Sequence, residues 1–249
     1  MPIVTQTNVA SLETQKNLFR SQAALQKSFS RLSSGHRINS AADDAAGLAI
    51  SESMRTQIRS YVVAERNASD AISMTQTAEG ALGEMHSILG RLRELAMQGS
   101  NGSMTATDRG YLSTEFSALQ AEMTRIQASS KFNGKSLLSA TASSLTFQVG
   151  LNNTASDKVT LTFGGLGLTT LLAATTNLSG AGTTASLTAL GRIDSALATI
   201  STSRARFGAA MNRFEVVTSS IQTMRLNLSA ANSRIRDVDV AEETSALAR

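Results

Sequence analysis

Residues 193–235 read IDSALATISTSRARFGAAMNRFEVVTSSIQTMRLNLSAANSRI. Every seventh position is apolar: Ile193, Ile200, Phe207, Phe214, Ile221, Leu228 and Ile235. A second row stands beside it, at Leu190, Leu197 and Met211, then at Val217, Met224, Ala231 and Val238. Spacings of three and four that sum to seven draw a stripe along one side of a very long helix. In water such a stripe needs partner helices of similar length, from the same chain or from neighbours. The pattern predicts an assembly protein built of long helices rather than a compact enzyme with a pocket. Arg204 falls on the stripe, where a lone charge predicts a register-setting ion pair within the chain or across subunits.

Composition agrees with thin helical layers. The chain has 249 residues, of which 41% are hydrophobic but only 4% aromatic, with no Trp. A thick core leans on aromatics, whereas a long bundle can be filled with Ala, Leu, Ile and Met. Pro2 is the sole proline, so no later position lacks an amide hydrogen. The absence of cysteine excludes disulfides, thiolate metal sites and cysteine nucleophiles. The net charge of +4 carries no dense basic block, which argues against nucleic acid as a partner. No apolar run reaches the roughly eighteen residues of a membrane span, so membrane insertion is not expected. The first residues, MPIVTQTNVASLETQK, lack a basic and then apolar signal pattern, so secretion would use another route.

Along the chain, residues 4–32 read as an amphipathic helix with Leu18, Leu25, Phe29 and Leu32 on one side. Ser33-Ser34-Gly35 stops it, and Ser40-Ala-Ala-Asp43 fits a capping box for a second helix from about 44 to 98. That helix carries Leu48, Ile58, Val62, Ile72, Leu82, Met85, Leu89, Leu92 and Leu95 and ends at Gly99-Ser-Asn-Gly102. Thr107-Asp108 starts a third, with Leu112, Phe116, Leu119, Met123 and Ile126. Asn133-Gly134 marks a turn. The period then changes to two, at Leu145, Phe147, Val149 and again at Val159, Leu161, Phe163, which predicts a β-hairpin. Residues 164–186, rich in Gly, Thr, Ser and Ala, predict an irregular surface excursion.

Several separated segments resemble bacterial flagellin: NVASL at 8–12, RLSSGHRINSAADDAAGLAI at 31–50, KFNGKSLL at 131–138, RARFGAAMNRFE at 204–215 and LSAANSRIRDVDV at 228–240. The resemblance implies a mainly α fold, an elongated antiparallel bundle of long helices of the D0/D1 type with a small β-hairpin region. It implies an N-terminal D0 helix and link at 1–43. A D1 bundle follows at 44–236, with the hairpin and a reduced variable region at 139–186. The start of a C-terminal D0 segment occupies 237–249. Flagellins continue beyond that motif with a further amphipathic helix. This sequence stops at Ser245-Ala-Leu-Ala-Arg249, so an incomplete D0 pair is expected.

The implied function is structural: polymerisation into the extracellular flagellar filament for motility, after type III export. The alternative is a hook–filament junction protein of the same superfamily. Implied partners are other flagellin subunits, the flagellar cap and hook-associated proteins, an export chaperone that uses the C-terminal tail, and the flagellin-sensing Toll-like receptor of animals. For that receptor the matching positions are Arg91, Leu95, Gln98 and Glu115, a patch that also serves subunit packing. Gly90 stands where a glutamine is common, which implies weaker contact there. Ser and Thr in 139–190 are candidate O-glycosylation sites by the same analogy.

The residues offer no catalytic, metal or cofactor chemistry. His36 and His86 are the two histidines, no HExxH zinc motif occurs, and no P-loop or dinucleotide turn is present. Asp43-Asp44 could be a carboxylate pair, but their place at a helix start points to capping. Glu242 and Glu243 read as solvated charges.

Overall fold

The computed structural model describes residues 8–168, 178 and 183–248. They fall into two compact units, residues 63–221 and residues 1–62 with 222–249. The helices α1 (Val9–Ser34), α2 (Ala45–Gly99), α3 (Ala106–Ser129), α4 (Thr183–Arg236) and α5 (Val240–Ala248) dominate. Two small antiparallel sheets accompany them. The expected mainly α architecture with long helices is what is found.

In the unit of residues 63–221 the core is a helical ladder. On α2 the buried positions Ala64, Ala68, Ala71, Thr75, Ala78, Leu82, Met85, Leu89, Leu92 and Ala96 alternate steps of four and three. On α4 Ser186, Ala189, Ile193, Ala196, Ile200, Ser203, Phe207, Ala210 and Phe214 do the same, and Ile221 extends the row. Such alternation keeps one seam facing a partner helix. The pair is antiparallel: Arg93 meets Asp194 at 2.8 Å, and Glu79, earlier on α2, meets Arg204, later on α4, at 2.8 Å.

The second row expected at Leu190, Leu197 and Met211 is only half-buried. The row that turns inward is Ser186, Ala189, Ala196, Ser203 and Ala210. Counting hydrophobicity passes over Ala and Ser, yet small residues are what let two helix backbones approach. At one end the approach is close enough that a Cβ on Gly99 would lie 2.8 Å from Ser186 Oγ. Carried along the antiparallel pair from there, Leu82 stands level with Ser203 and Leu89 with Ala196. Further on, Ala78 stands level with Phe207 and Ala71 with Phe214. Large faces small at each of these levels. Arg204 flanks the seam rather than sitting in it; its guanidinium donates twice to Glu79 Oε1.

The predicted hairpin is present. β3 (Ser143–Gln148) pairs with β4 (Lys158–Phe163), placing Leu145 opposite Leu161 and Phe147 opposite Val159. Its apolar face packs on the α4 phenylalanines, Phe147 edge-on to Phe214 at 5.6 Å and Phe163 tilted on Phe207 at 5.4 Å. Its other face is a hydroxyl ladder, Ser144 with Thr162 and Thr146 with Thr160. Asn67 Nδ2 on α2 and Arg206 Nη2 on α4 donate to the Gln148 and Thr162 carbonyls, tying both edges down.

Helix α3 starts two residues earlier than expected, because Thr105 caps it in a reciprocal box with Asp108. Asn133 and Gly134 both have positive φ and join two strands of two residues each, β1 (Lys131–Phe132) and β2 (Lys135–Ser136). Strands so short have no period to read. The expected surface excursion is corrected where it can be followed: Leu166, Leu168 and Leu178 are buried, and α4 begins at Thr183. Residues 169–177 and 179–182 lie outside the described residues.

In the other unit, Asn8 caps α1 and Gly35, at φ 70, ends it as the Ser33-Ser34-Gly35 signal predicts. Residues 4–7 of the expected helix lie outside the described residues. The expected box at Ser40–Asp43 is a turn. The cap of α2 is Asp44, whose Oδ1 accepts from Gly47 N at 2.8 Å. The two interhelical links pair: Arg37 N–H donates to Arg236 O at 2.7 Å and Val238 N–H to Gly35 O at 3.1 Å. Within this unit too α2 and α4 run antiparallel, Glu52 meeting Arg236 and Tyr61 meeting Met224.

Candidate interaction surface

Helix α1 has 26 residues and none of them is buried. Leu12, Leu18, Phe19, Leu25 and Phe29 are between 44% and 67% exposed. A helix gains most of its stability from packing an apolar face, so this one lacks the partner its sequence provides for. The charged side of α1 is engaged: Lys27 pairs with Asp43 at 2.8 Å, and Arg31 with Glu243 on α5 at 3.4 Å. Glu243, expected to be solvated, has a side chain only 12% exposed because of that contact. Glu242 is exposed.

The second surface lies where α2, α3 and α4 run side by side. Arg91 Nε donates to Glu115 Oε1 on α3 and its Nη1 to Glu94 Oε2, both at 2.8 Å. Glu115 first, and Glu94 after it, push the Arg91 guanidinium still further above its already high pKa, so its charge is fixed. Arg93 makes the matching bridge to Asp194 on α4. Arg91, Gln98 and Glu115 are exposed, with Met97 beside them. Leu95 is not on that surface; it is 1% exposed and packs underneath. The turn after the patch is held by the buried Arg109, which donates to Gly99 O and Asn101 O.

Comparison with known proteins gives the family. The family model described as the bacterial flagellin N-terminal helical region matches residues 5–143, and that of the C-terminal helical region matches 190–249. A flagellin of Halalkalibacterium halodurans is 42% identical over 95% of this chain and 86% of its own length. The chain belongs to the bacterial flagellin family. A flagellin of Bacillus subtilis is 40% identical over 96% of this chain and 88% of its own. A flagellar filament core protein of Brachyspira hyodysenteriae is 38% identical over 99% and 90%. The crystal structure of Bacillus cereus flagellin superposes with a TM-score of 0.54 at 32% identity, covering 67% of this chain and 94% of that one. A Vibrio parahaemolyticus protein described as flagellar hook-associated reaches 0.67 at 14% identity, over 78% and 100%, which shows a shared fold alone.

The other singled-out residues of this flagellin-family chain have structural places. Of the heptad row, Ile193, Ile200, Phe207, Phe214 and Ile221 are buried, while Leu228 and Ile235 are half-buried. His86 is exposed on α2, and His36 Nδ1 lies 3.6 Å from Asp237 Oδ1 at the bridged links. Glu94, Arg93 and Asp194 were not singled out from sequence. The first has an i,i+3 signal with Arg91, whereas the Arg93–Asp194 pair exists only once α2 and α4 are in register. Among the described residues no group of acidic and histidine side chains could hold a metal, and no helix is long and apolar enough to cross a membrane.

Asp43 ties the link to α1. The Lys27 ammonium, with the Ser40 and Asn39 amides, holds its carboxyl well below the usual carboxylate range. A depressed folded-state pKa gives stability that is present above the unfolded value, about 3.9, and lost as pH falls through the folded one. Protection of the Asn39 and Ser40 amides from hydrogen exchange should therefore hold from neutral pH to about 4 and decline only below it. Asp43→Asn should lower that protection at neutral pH and flatten the acid response. Equal protection in the two proteins would show that Asp43 does not hold the link.

Proposed function

We propose that this chain is the repeating structural subunit of a bacterial flagellar filament, located outside the cell and delivered by type III export. The observation that carries the reading is α1, a long helix with a row of uncovered large apolar residues, in a chain of the flagellin family. In this reading residues 1–43 and 237–249 belong to an inner D0 layer and 44–236 to D1, with 139–186 as hairpin and reduced outer region. Association buries α1 against helices of neighbouring subunits. Burying an exposed Leu or Phe is worth roughly 1.5–3 kcal/mol, so a few such residues per subunit suffice for a stable polymer. The cap, hook-associated proteins and export chaperone are proposed partners on the same family grounds. The hook–filament junction alternative draws its support from a shared fold at 14% identity, against 38–42% to flagellins and a filament core protein.

The test is growth on sheared filament seeds followed by electron microscopy. It would use this chain and the chain extended at Arg249 by a flagellin-type amphipathic helix. The expected result is seed extension, lost in Leu25→Ser/Phe29→Ser, whose positions are exposed and leave the monomer's melting unchanged. Failure of both wild-type forms to extend seeds, or undiminished growth of the variant, would overturn the reading.

The Arg91, Gln98 and Glu115 surface is proposed to be recognised by the flagellin-sensing Toll-like receptor. Leu95 acts from beneath, by seating α2 so that Arg91 and Glu115 meet. Arg91→Ala should reduce the response of receptor-reporter cells without changing the monomer's thermal unfolding. A response equal to wild type would remove Arg91 from the recognition surface.

A further inference from the structure

Between α2 and α3 the chain turns through Ser100, Asn101 and Gly102. Asparagine followed by glycine is chemically exposed, because the glycine nitrogen has no neighbouring side chain to hinder attack on the asparagine side-chain carbon. The sequence holds two such pairs, Asn101-Gly102 and Asn133-Gly134. Their surroundings differ.

At Asn101 both reacting groups are polarised. The Ser103 N–H donates to Asn101 Oδ1 at 3.1 Å, the oxygen that gains negative charge when Cγ becomes tetrahedral. Arg109 Nη2 donates to the Asn101 main-chain oxygen at 3.1 Å, and the Met104 N–H joins it at 3.3 Å. That oxygen belongs to the same peptide unit as the Gly102 N–H. A fixed cation on it stabilises the deprotonated amide, which is the nucleophile. Arg109 is 9% exposed and its Nε is anchored on Gly99 O at 3.0 Å, so the charge stays in place. The Gly102 N–H has no acceptor among the described residues. Asn133 sits at φ 47 in a tight turn, and among the described residues no cation or amide donates to it.

We propose that Asn101 is a self-activated deamidation site. Hydroxide removes the Gly102 amide proton, and the nitrogen bonds to Asn101 Cγ. The Cγ–Nδ2 bond breaks and ammonia leaves, closing a succinimide. Water then opens either ring carbon–nitrogen bond, leaving aspartate or isoaspartate at 101. Water is the only reactant consumed, and ammonia the only group lost. The new carboxylate stands one turn beyond Gln98, whose carbonyl accepts from Asn101 N–H at 3.1 Å. In the isoaspartate product the backbone gains a methylene and the carbonyl gripped by Arg109 is displaced. The turn after the Arg91–Gln98 face thus carries a slow, one-way chemical change.

The experiment is a time course of the intact chain in mildly alkaline buffer, read by peptide mass spectrometry that separates aspartate from isoaspartate. The same chain in denaturant supplies the reference rate. Asn101 should convert faster native than denatured, by roughly tenfold, the worth of one hydrogen bond to a charged group. Asn133 should convert more slowly native than denatured. Gly102→Ala, which places a Cβ where nothing lies within 4 Å, should stop the Asn101 reaction. Arg109→Gln should bring the rate at Asn101 down to the denatured value or below. A native Asn101 rate at or below the denatured one, or an unchanged rate in Arg109→Gln, would overturn the proposal.

Discussion

The fit of small residues on one long helix to large residues on the other sets most of what surrounds it. Along α2, Ala64, Ala68, Ala71 and Ala78 leave room, and along α4 Phe207 and Phe214 occupy it. The same rings then receive the hairpin through Phe147 and Phe163. Toward the other end the sizes exchange, with Leu82 and Leu89 level with Ser203 and Ala196. A slip of one heptad in one direction would bring the Phe207 ring level with Met85 in place of Ala78. An interior packed at crystal-like density tolerates such overpacking poorly. The register so fixed is also what brings Arg93 to Asp194 and Arg204 to Glu79. These partly solvated ion pairs add little energy themselves; they report the register rather than create it.

The other unit obeys a different economy. Its described residues include few buried apolar side chains, chiefly Ile38, and hold together through links and charges. Lys27–Asp43, Arg31–Glu243 and Arg236–Glu52 are all partly solvated. Weak local holding combined with an uncovered apolar helix is what a subunit needs if its order is completed by neighbours. A helix fully buried within its own chain would have nothing left to give an assembly.

Much of this was legible in the sequence, and the failures have physical causes. The heptad row, buried from Ile193 to Ile221 and half-buried at Leu228 and Ile235, and the alternation around Phe147 and Phe163 mark burial through large residues, which a hydrophobic pattern registers. The row of Ser186, Ala189, Ala196, Ser203 and Ala210 was missed because its role is closeness, which carries no hydrophobic signal. Cap positions slipped, from Ser40 to Asp44 and from Thr107 to Thr105: Ser, Thr and Asp are dense near both helix starts, and the hydrogen bonds choose Asp44 and Thr105. Glu243 looked solvated because its partner Arg31 is remote in sequence. The Arg91 surface came from family resemblance, and only the fold separates its exposed members from the buried Leu95.

The central claim is that the Phe207 ring on α4 fills the room that Ala78 leaves on α2, and a double-mutant cycle on that level of the seam tests it most directly. Ala78→Leu, Phe207→Ala and the pair together would be compared with wild type by equilibrium urea unfolding. Alone, the first should cost about 1–3 kcal/mol by overpacking and the second about 3–5 kcal/mol by leaving a cavity. Together they should cost less than the sum by at least about 1 kcal/mol, because the new leucine enters the space the ring vacated. Costs that add within about 0.5 kcal/mol would mean the two positions do not share that space, and the register described here would be wrong.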